Sequence, residues 1–398
     1  VTGLYYQTTT CRDCPVVLEL NAEATPDTVC SGSPVQLRAD NVAGTYQWTS
    51  DPPGFNSSAR LPTAKPTETT TYFVKGTVEN GCIKGFDTVT VNVWETPEVD
   101  AGDDAEICNG KSVQIGNQAS KGAPPYSYSW SPSDGLSSDN IAQPTASPTQ
   151  TRTYQVTVTD DNGCRATDDV TVTVQDNPTA DAGGDVEICF GDTTVIGQQA
   201  TGGSPPYSYS WSPGETLSDT TVATPQAFPG QSQIYTVTVT DSKGCQSTDE
   251  VEVTVFELPE AHAGNDTSVC YGLTATIGEP ATGGTPPYNY SWTPAGEVSD
   301  PNIARPTTSP EDTTTYIVEV TDDNGCTTYD TVTVNIMPLP EPVITPEGPT
   351  RICSCDSVTL DAGPGYDSYL WSTNETTRKI TVNQEDNYTV TVVDGNGC

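Results

Sequence analysis

The chain has 398 residues and a formal net charge of -38, because 53 Asp and Glu stand against 15 Lys and Arg. This excess of negative charge argues against nucleic acid or an anionic membrane surface as a partner. A single histidine, His262, excludes most histidine-based catalysis. Thirteen cysteines in so acidic a chain predict an oxidising compartment outside the cytoplasm.

A series of Cys, Trp, Tyr and Cys recurs five times along the chain. In the third copy it reads Cys189, Trp211, Tyr235 and Cys245. The first cysteines of successive copies are about 80 residues apart, which is the signature of a tandem array. We therefore predict an N-terminal tail and five domains. Their predicted bounds are 1–14 for the tail and 15–96, 97–177, 178–258, 259–339 and 340–398 for the domains.

Within each copy, apolar and polar residues alternate with the period of a half-buried strand. Tyr235–Thr240 and Val251–Val255 alternate in this way, and Tyr207–Trp211 places three aromatic rings on one face. No window has a helical period. The sequence predicts an all-β chain with almost no helix, a tandem array of five Ig-like β-sandwich domains that form an elongated rod. The aromatic rings are expected in the core, and exposed rings that bind sugars are the alternative.

Two segments of the middle domains resemble a known class of repeat. They read Thr201-Gly-Gly-Ser-Pro-Pro-Tyr-Ser-Tyr-Ser-Trp211 and Tyr235-Thr-Val-Thr-Val-Thr-Asp-Ser-Lys-Gly-Cys245, and similar segments occur in the second and fourth domains. They resemble the SprB-type and PKD-like modules of gliding-motility adhesins on the surface of Bacteroidota. The resemblance is weaker in the first and fifth domains. It implies that the five domains are Ig/PKD-like β-sandwich domains of an extracellular, non-catalytic stalk or filament that contributes to adhesion or gliding.

The paired cysteines predict one structural disulfide inside each domain, near one end of the sandwich. The predicted pairs are Cys30–Cys82, Cys108–Cys164, Cys189–Cys245, Cys270–Cys326 and Cys353–Cys398. Three cysteines remain. Cys11 and Cys14 are close enough for a local disulfide, and we hypothesise that Cys355 instead links to one of them, within the chain or between subunits.

Clusters of acidic residues open the second and third domains. Calcium prefers carboxylate and carbonyl oxygens, so these clusters predict a Ca²⁺ site that would stiffen the array. The alternative is turn chemistry, in which Asp caps its own backbone. The predicted calcium ligands are Asp100, Asp103, Asp104, Asp181 and Asp185.

The resemblance also implies O-glycosylation, because that phylum modifies Asp-Ser/Thr-apolar triplets. The alternative is the ordinary composition of a threonine-rich chain. The matching triplets are centred on Thr28, Thr88, Thr331 and Ser357.

No phosphate-binding loop, dinucleotide fingerprint or nucleophile elbow is present, so we predict no enzyme activity and no cofactor besides calcium. The expected partners are neighbouring domains or subunits, surface glycans or other cells, with no nucleic acid and no membrane insertion. The fifth domain ends at Cys398 without the strand that follows the second cysteine elsewhere. Two alternatives are expected from this. Either the chain is a fragment of a longer array, or Val1–Thr10 of another copy completes the sandwich as an added strand. A third alternative is an accessory binding region of a secreted glycan-degrading enzyme.

Overall fold

The computed structural model describes residues 19–40, 44–77, 83–351 and 356–398. Within these ranges the structure is all-β, as predicted, and its helical content is one short 3-10 turn at Ala295–Glu297. No helix of the described ranges is long and apolar enough to cross a membrane. The strands repeat in five sets that follow the sequence repeats.

The described chain divides into two compact units. The first ends at Thr179 and also takes in Thr201–Tyr207 and Thr240–Ser247. The second consists of Ala180–Ala200, Ser208–Val239 and Thr248–Cys398. The division passes through the third repeat, so the five predicted domain boundaries stay predictions.

The first unit contains the first two repeats. The strands of the first repeat are β1 Asn21–Thr25, β2 Thr28–Cys30, β3 Val35–Asp40, β4 Thr45–Asp51, β5 Asn56–Ser57, β6 Thr63–Ala64, β7 Thr70–Thr77 and β8 Ile83–Trp94. Those of the second are β9 Ala105–Cys108, β10 Val113–Gln114, β11 Ser127–Ser131, β12 Thr145–Ala146, β13 Arg152–Thr159 and β14 Arg165–Gln175. The first repeat forms sheets in the orders β2-β8-β7-β4-β5 and β1-β3-β6, and the second forms β11-β13-β14-β9 and β10-β12.

The third and fourth repeats have the same plan with extra two-residue strands. The strands of the third repeat are β15 Pro178–Thr179, β16 Val186–Cys189, β17 Thr194–Val195, β18 Thr201–Gly202, β19 Ser208–Ser212, β20 Gln226–Ala227, β21 Gln233–Thr240 and β22 Gln246–Phe256. Those of the fourth are β23 Pro259–Glu260, β24 Thr267–Cys270, β25 Ala275–Thr276, β26 Thr282–Gly283, β27 Asn289–Thr293, β28 Thr307–Thr308, β29 Thr314–Thr321 and β30 Thr327–Met337. Their main sheets are ordered β16-β22-β21-β19 and β24-β30-β29-β27.

The fifth repeat has smaller sheets in the part that the structure describes. Its strands are β31 Thr345–Pro346, β32 Val358–Asp361, β33 Ser368–Trp371, β34 Lys379–Val382 and β35 Val390–Val393. They form sheets in the orders β31-β32-β34 and β33-β35.

The alternation read from the sequence produces one small core in each repeat. In β29, Tyr316, Val318 and Val320 point inward and are buried, while the residues between them face outward. They pack around the buried Trp292 of β27. On the outer face, the hydroxyls of Thr315 and Thr333 lie 3.1 Å apart across two strands. A period of two therefore gives each strand an apolar and a hydrogen-bonding face.

Candidate functional site at the disulfide-linked junctions

Four disulfides join successive repeats rather than the two ends of one repeat. Each connects the first cysteine of one repeat to the second cysteine of the next, with Cα atoms 5.4 to 5.6 Å apart. The first unit contains Cys30–Cys164 and Cys108–Cys245. The second contains Cys189–Cys326 and Cys270–Cys398. The described cysteines therefore form a ladder in which every bond crosses a junction between repeats.

The prediction of disulfides inside each domain is wrong for these eight cysteines. Each of these eight cysteines has a different partner from the predicted one. The predicted pairs were Cys30–Cys82, Cys108–Cys164, Cys189–Cys245, Cys270–Cys326 and Cys353–Cys398. Cys11, Cys14, Cys82, Cys353 and Cys355 lie outside the described residues, so the hypotheses about Cys355 and about a Cys11–Cys14 bond stay predictions.

The position of one edge strand explains the correction. In the second repeat β9 runs parallel to β14, and this register places Cys108 opposite Gln175. Cys164 lies at the other end of β14, directly before Arg165. Ten residues of strand span about 33 Å, whereas a disulfide needs Cα atoms within about 7 Å. The two cysteines of one repeat are therefore at opposite ends of the sandwich, and each is at a junction.

Mapping of the disulfides by mass spectrometry without reduction tests this connectivity. We expect linked peptides that contain Cys108 with Cys245 and Cys189 with Cys326. A digest in which Cys108 is linked to Cys164 would contradict the parallel register of β9. Reduced and alkylated protein digested in parallel is the control, since it should release every one of these peptides singly.

A buried carboxylate shapes the turn that carries the second cysteine of the second, third and fourth repeats. In the fourth repeat Asp322 is 2% exposed, and its Oδ1 accepts hydrogen bonds from the backbone N–H of Cys326 at 2.9 Å and of Asn324 at 3.0 Å. Its Oδ2 accepts from the N–H of Thr285, 2.9 Å away in the preceding loop. Asp160 and Asp241 do the same in the second and third repeats. One side chain thus fixes both the cysteine and the loop beside it.

The pKa of Asp241 is lowered by this turn. Burial alone would raise the pKa of the carboxyl, but the backbone N–H groups of Ser204, Cys245, Lys243 and Gly244 stabilise the carboxylate and outweigh burial. A charge contact adds to the same junction, since the Lys243 ammonium lies 3.1 Å from Glu106 of the preceding repeat.

We expect the turn at Cys245 to loosen in acid. The carboxyl of Asp241 has its ordinary pKa of about 3.9 in the unfolded chain and a lower one in the fold. Its stabilisation is therefore complete above about pH 4 and is lost as the pH falls through the folded value. The exchange protection of the Cys245 amide proton, followed by NMR on descending pH, measures this loss. The Asp241→Asn variant cannot titrate there, and an unchanged acid transition in it would refute the assignment.

The first three junctions also bring a linker proline against a glycine of the next loop. A Cβ atom on Gly284 would lie 2.8 Å from both the nitrogen of Pro259 and Oδ2 of Asp322. Gly284 has φ of +55°, a conformation that side chains rarely adopt. The glycine of the Gly-Gly-x-Pro-Pro sequence therefore allows the loop, the linker and the cysteine turn to approach closely. The recurrence of Asp-x-x-Gly-Cys in the sequence could have indicated the importance of this turn.

The predicted calcium ligands accept hydrogen bonds from the protein itself. Asp100 accepts from the backbone N–H of Gly102 at 2.8 Å and from the amide of Asn117 at 2.8 Å. Asp104 accepts from the N–H of Thr171 at 2.7 Å. Asp103 is exposed. Among the described residues, no group of three or more acidic, His or Cys side chains is placed to hold a metal ion.

The same arrangement recurs in the third repeat. Asp181 accepts from the N–H of Gly183 at 2.9 Å, and Asp185 accepts from the N–H of Glu252 at 2.9 Å. The contacts of Asp100 with Gly102 and of Asp181 with Gly183 are the turn chemistry that was the alternative to calcium. The contacts of Asp104 and Asp185 instead tie the openings of the second and third repeats to their last long strands, β14 and β22.

The remaining sequence-predicted positions range from the surface to the core. Thr88, Thr331 and Ser357 are exposed, and Thr28 is half-buried, so O-glycosylation at them stays a prediction. Trp211 is buried, as expected, and its Nε1 donates to the carbonyl of Val222 at 2.9 Å. Tyr207 and Tyr209 are half-buried, and their hydroxyls bind the backbone of Gly202 and Ala200.

Three family models match separate parts of the chain. Residues 7–94 match the Ig-like domain CHU_C associated, residues 101–174 match a PKD domain, and residues 198–216 match the SprB repeat. The predicted resemblance to SprB-type and PKD-like repeats is therefore confirmed. Over the residues that they cover, these matches support the predicted fold class, a tandem array of Ig-like and PKD-like β-sandwich domains.

Among curated proteins the chain is similar to the dyslexia-associated protein KIAA0319-like protein of Mus musculus. The two are 33% identical in an alignment of 217 positions that covers 47% of this chain and 21% of the mouse protein. The chain thus spans about a fifth of the length of that relative.

Solved tandem Ig structures are also similar to the chain. Titin domains I67–I69 match with 14% identity and a TM-score of 0.35, over 61% of this chain and 98% of theirs. The eight N-terminal Ig domains of the Down Syndrome Cell Adhesion Molecule match with 14% identity and a TM-score of 0.34, over 89% of this chain and 52% of theirs.

Proposed function

We propose that this chain is an extracellular, non-catalytic array of repeats with a structural or adhesive role at a cell surface. The disulfide ladder carries this proposal, because four bonds between repeats can form and persist only in an oxidising compartment. The matches to Ig-like, PKD-like and SprB repeats support the same class.

The finer proposal is that the array belongs to a bacterial surface adhesin or filament that contributes to gliding. The SprB match and the acidic, threonine-rich surface support it. Immunogold electron microscopy of intact source cells, with antibodies raised against the purified chain, tests the location. Label outside the outer membrane is expected, and label confined to permeabilised cells would overturn the proposal. Loss of spreading on agar after deletion of the gene tests gliding separately.

Two alternatives from the sequence lead to different observations. If the chain polymerises by strand addition, the purified protein should form fibres in negative-stain electron microscopy. A chain that does not polymerise should stay monomeric at the same concentrations. A role as an accessory region of a glycan-degrading enzyme would place a catalytic domain in the flanking sequence and retain the purified chain on an immobilised glycan.

Calcium is proposed as a stiffening ion at the openings of the second and third repeats. Support comes from the carboxylates of Asp100, Asp104, Asp181 and Asp185, which lie close to the junctions in sequence. The test is the melting temperature with EDTA, then with Ca²⁺ restored, at constant ionic strength. A fall with EDTA that Ca²⁺ reverses supports the site. Identical melting curves would refute it, because the backbone contacts of these carboxylates hold without an ion.

A further inference from the structure

We propose that the disulfide ladder makes the chain mechanically inextensible, by giving tension a covalent route that bypasses most of each repeat. The inference deepens the structural role proposed above and rests on it only for the claim that the chain bears load. Its physical basis is the connectivity of the four bonds.

The first covalent route enters at Cys30 and crosses directly to Cys164. It follows the backbone for about 25 residues to Cys189 and then crosses to Cys326. The intervening segments 31–163 and 190–325 are not on this route. Tension between Cys30 and Cys326 is therefore carried by one short stretch of backbone and two disulfides.

The second route uses the other two bonds in the same way. It crosses from Cys108 to Cys245, follows about 25 residues to Cys270 and crosses to Cys398. The two routes alternate along the chain. In the third repeat, for example, the first route leaves the backbone at Cys189 and the second route joins the backbone at Cys245. Within a repeat, the load-bearing backbone is the last long strand, such as β14 or β22.

The load-bearing segment has little slack, because much of it is already extended. Between Cys164 and Cys189 the structure has strand at Arg165–Gln175, Pro178–Thr179 and Val186–Cys189. The buried tryptophan and tyrosine strands, for example β11 and β13, lie outside it. Unfolding of a core would consequently add almost no length to the stretched chain. In repeats joined only by linkers, by contrast, each unfolded repeat adds its full contour length.

The junction contacts protect the bonds that this function needs. Cys164, Cys245 and Cys326 are at most 1% exposed, and each lies in a turn held by a buried aspartate. A reductant or a competing thiol therefore reaches these three sulfurs only after the turn has opened, whereas their partners Cys30, Cys108 and Cys189 are half-buried.

Optical-tweezers stretching of the full chain tests the inference, with handles attached through click-reactive residues at the exposed positions Asp27 and Asp323. Oxidised wild type should extend to a contour of only about 110 Å. The same molecules after complete reduction with a phosphine should reach about 1,000 Å. An oxidised wild type that lengthens by several hundred ångströms would overturn the proposal.

Matched double variants distinguish the routes. Cys189→Ser with Cys326→Ser cuts the route between the handles, so the contour should rise about fourfold, to roughly 400–500 Å. Cys108→Ser with Cys245→Ser removes the same number of bonds but leaves that route intact, so the contour should stay near that of wild type. Equal lengthening of both variants would refute the bypass. The comparison of oxidised with reduced wild type decides the matter if a variant fails to fold, and none of these results depends on where the protein is located in the cell.

Discussion

Replacement of Trp292 by alanine is expected to lower the free energy of unfolding of the fourth repeat by about 3 to 5 kcal/mol. The ring is 1% exposed and is the largest side chain of that core. Its Nε1 also donates to the carbonyl of Ile303 at 3.0 Å, and that acceptor would lose its partner. Lost burial, an unfilled cavity and an unpaired carbonyl act in the same direction.

Hydrogen exchange measured by mass spectrometry is the suitable method, because a chain of linked repeats does not unfold as one two-state unit. Peptides from β29 and β30 should lose protection, while those of the second repeat keep theirs. Trp94→Ala is a matched control, since that ring is 40% exposed and the chemical change is the same. If β29 lost no more protection in Trp292→Ala than β8 does in Trp94→Ala, the tryptophan would not be the centre of its core.

The core could be predicted from the sequence because its signal is local. Alternation along Tyr235–Thr240 states which residues face inward, and the recurring tryptophan marks the strand opposite them. These are consequences of strand geometry within a few residues. The sheet content and the burial of Trp211 and Tyr235 therefore followed without knowledge of how the strands pair.

The pairing of the cysteines could not be predicted because its cause is not local. Cys108 is separated from the strand it joins by about 60 residues, and nothing in Ala105–Cys108 states that this strand runs parallel to β14. Pairing of this strand with the other end of β14, beside Arg165, would have placed Cys108 close to Cys164, as predicted. The position at which one four-residue strand pairs along β14 thus decides whether the disulfides lie within repeats or between them.

The acidic residues illustrate the same limit. The sequence shows that Asp322 precedes a Gly-Cys turn, which predicts a capped turn. It does not show that the second carboxylate oxygen binds Thr285, 37 residues away. The calcium sites at Asp100 and Asp181 stay predictions for a related reason, because the oxygens of a carboxylate are equally suited to a cation and to a backbone N–H.

Substitution of Gly278 by alanine is expected to destabilise the fourth repeat by about 3 kcal/mol, although it adds a single methyl group. Gly278 has φ of +79°, which costs a residue with a Cβ about 1 to 2 kcal/mol. The added atom would also lie 2.2 Å from the carbonyl oxygen of Ala304 and 2.6 Å from the ring of Trp292. Neither neighbour can move freely, so overpacking adds a further ~1 to 3 kcal/mol.

Gly272→Ala in the same repeat separates the two contributions. Gly272 has φ of +84°, but a Cβ there meets nothing within 4 Å. This variant should lose only the conformational contribution to stability, about 1 to 2 kcal/mol. The exchange protection of β29 measures this loss. Equal losses in the two variants would show that the ring of Trp292 yields to the methyl group.

The double variant Gly278→Ala with Trp292→Ala completes the cycle. Because the alanine at 292 removes one of the two clashing neighbours, the combined loss should be smaller than the sum of the single losses, by an interaction energy of about 1 kcal/mol or more. The carbonyl of Ala304 remains in place, so the loss from Gly278→Ala should not vanish. Strict additivity would mean that the glycine is required by the backbone alone, and that the tryptophan packs against it without depending on it.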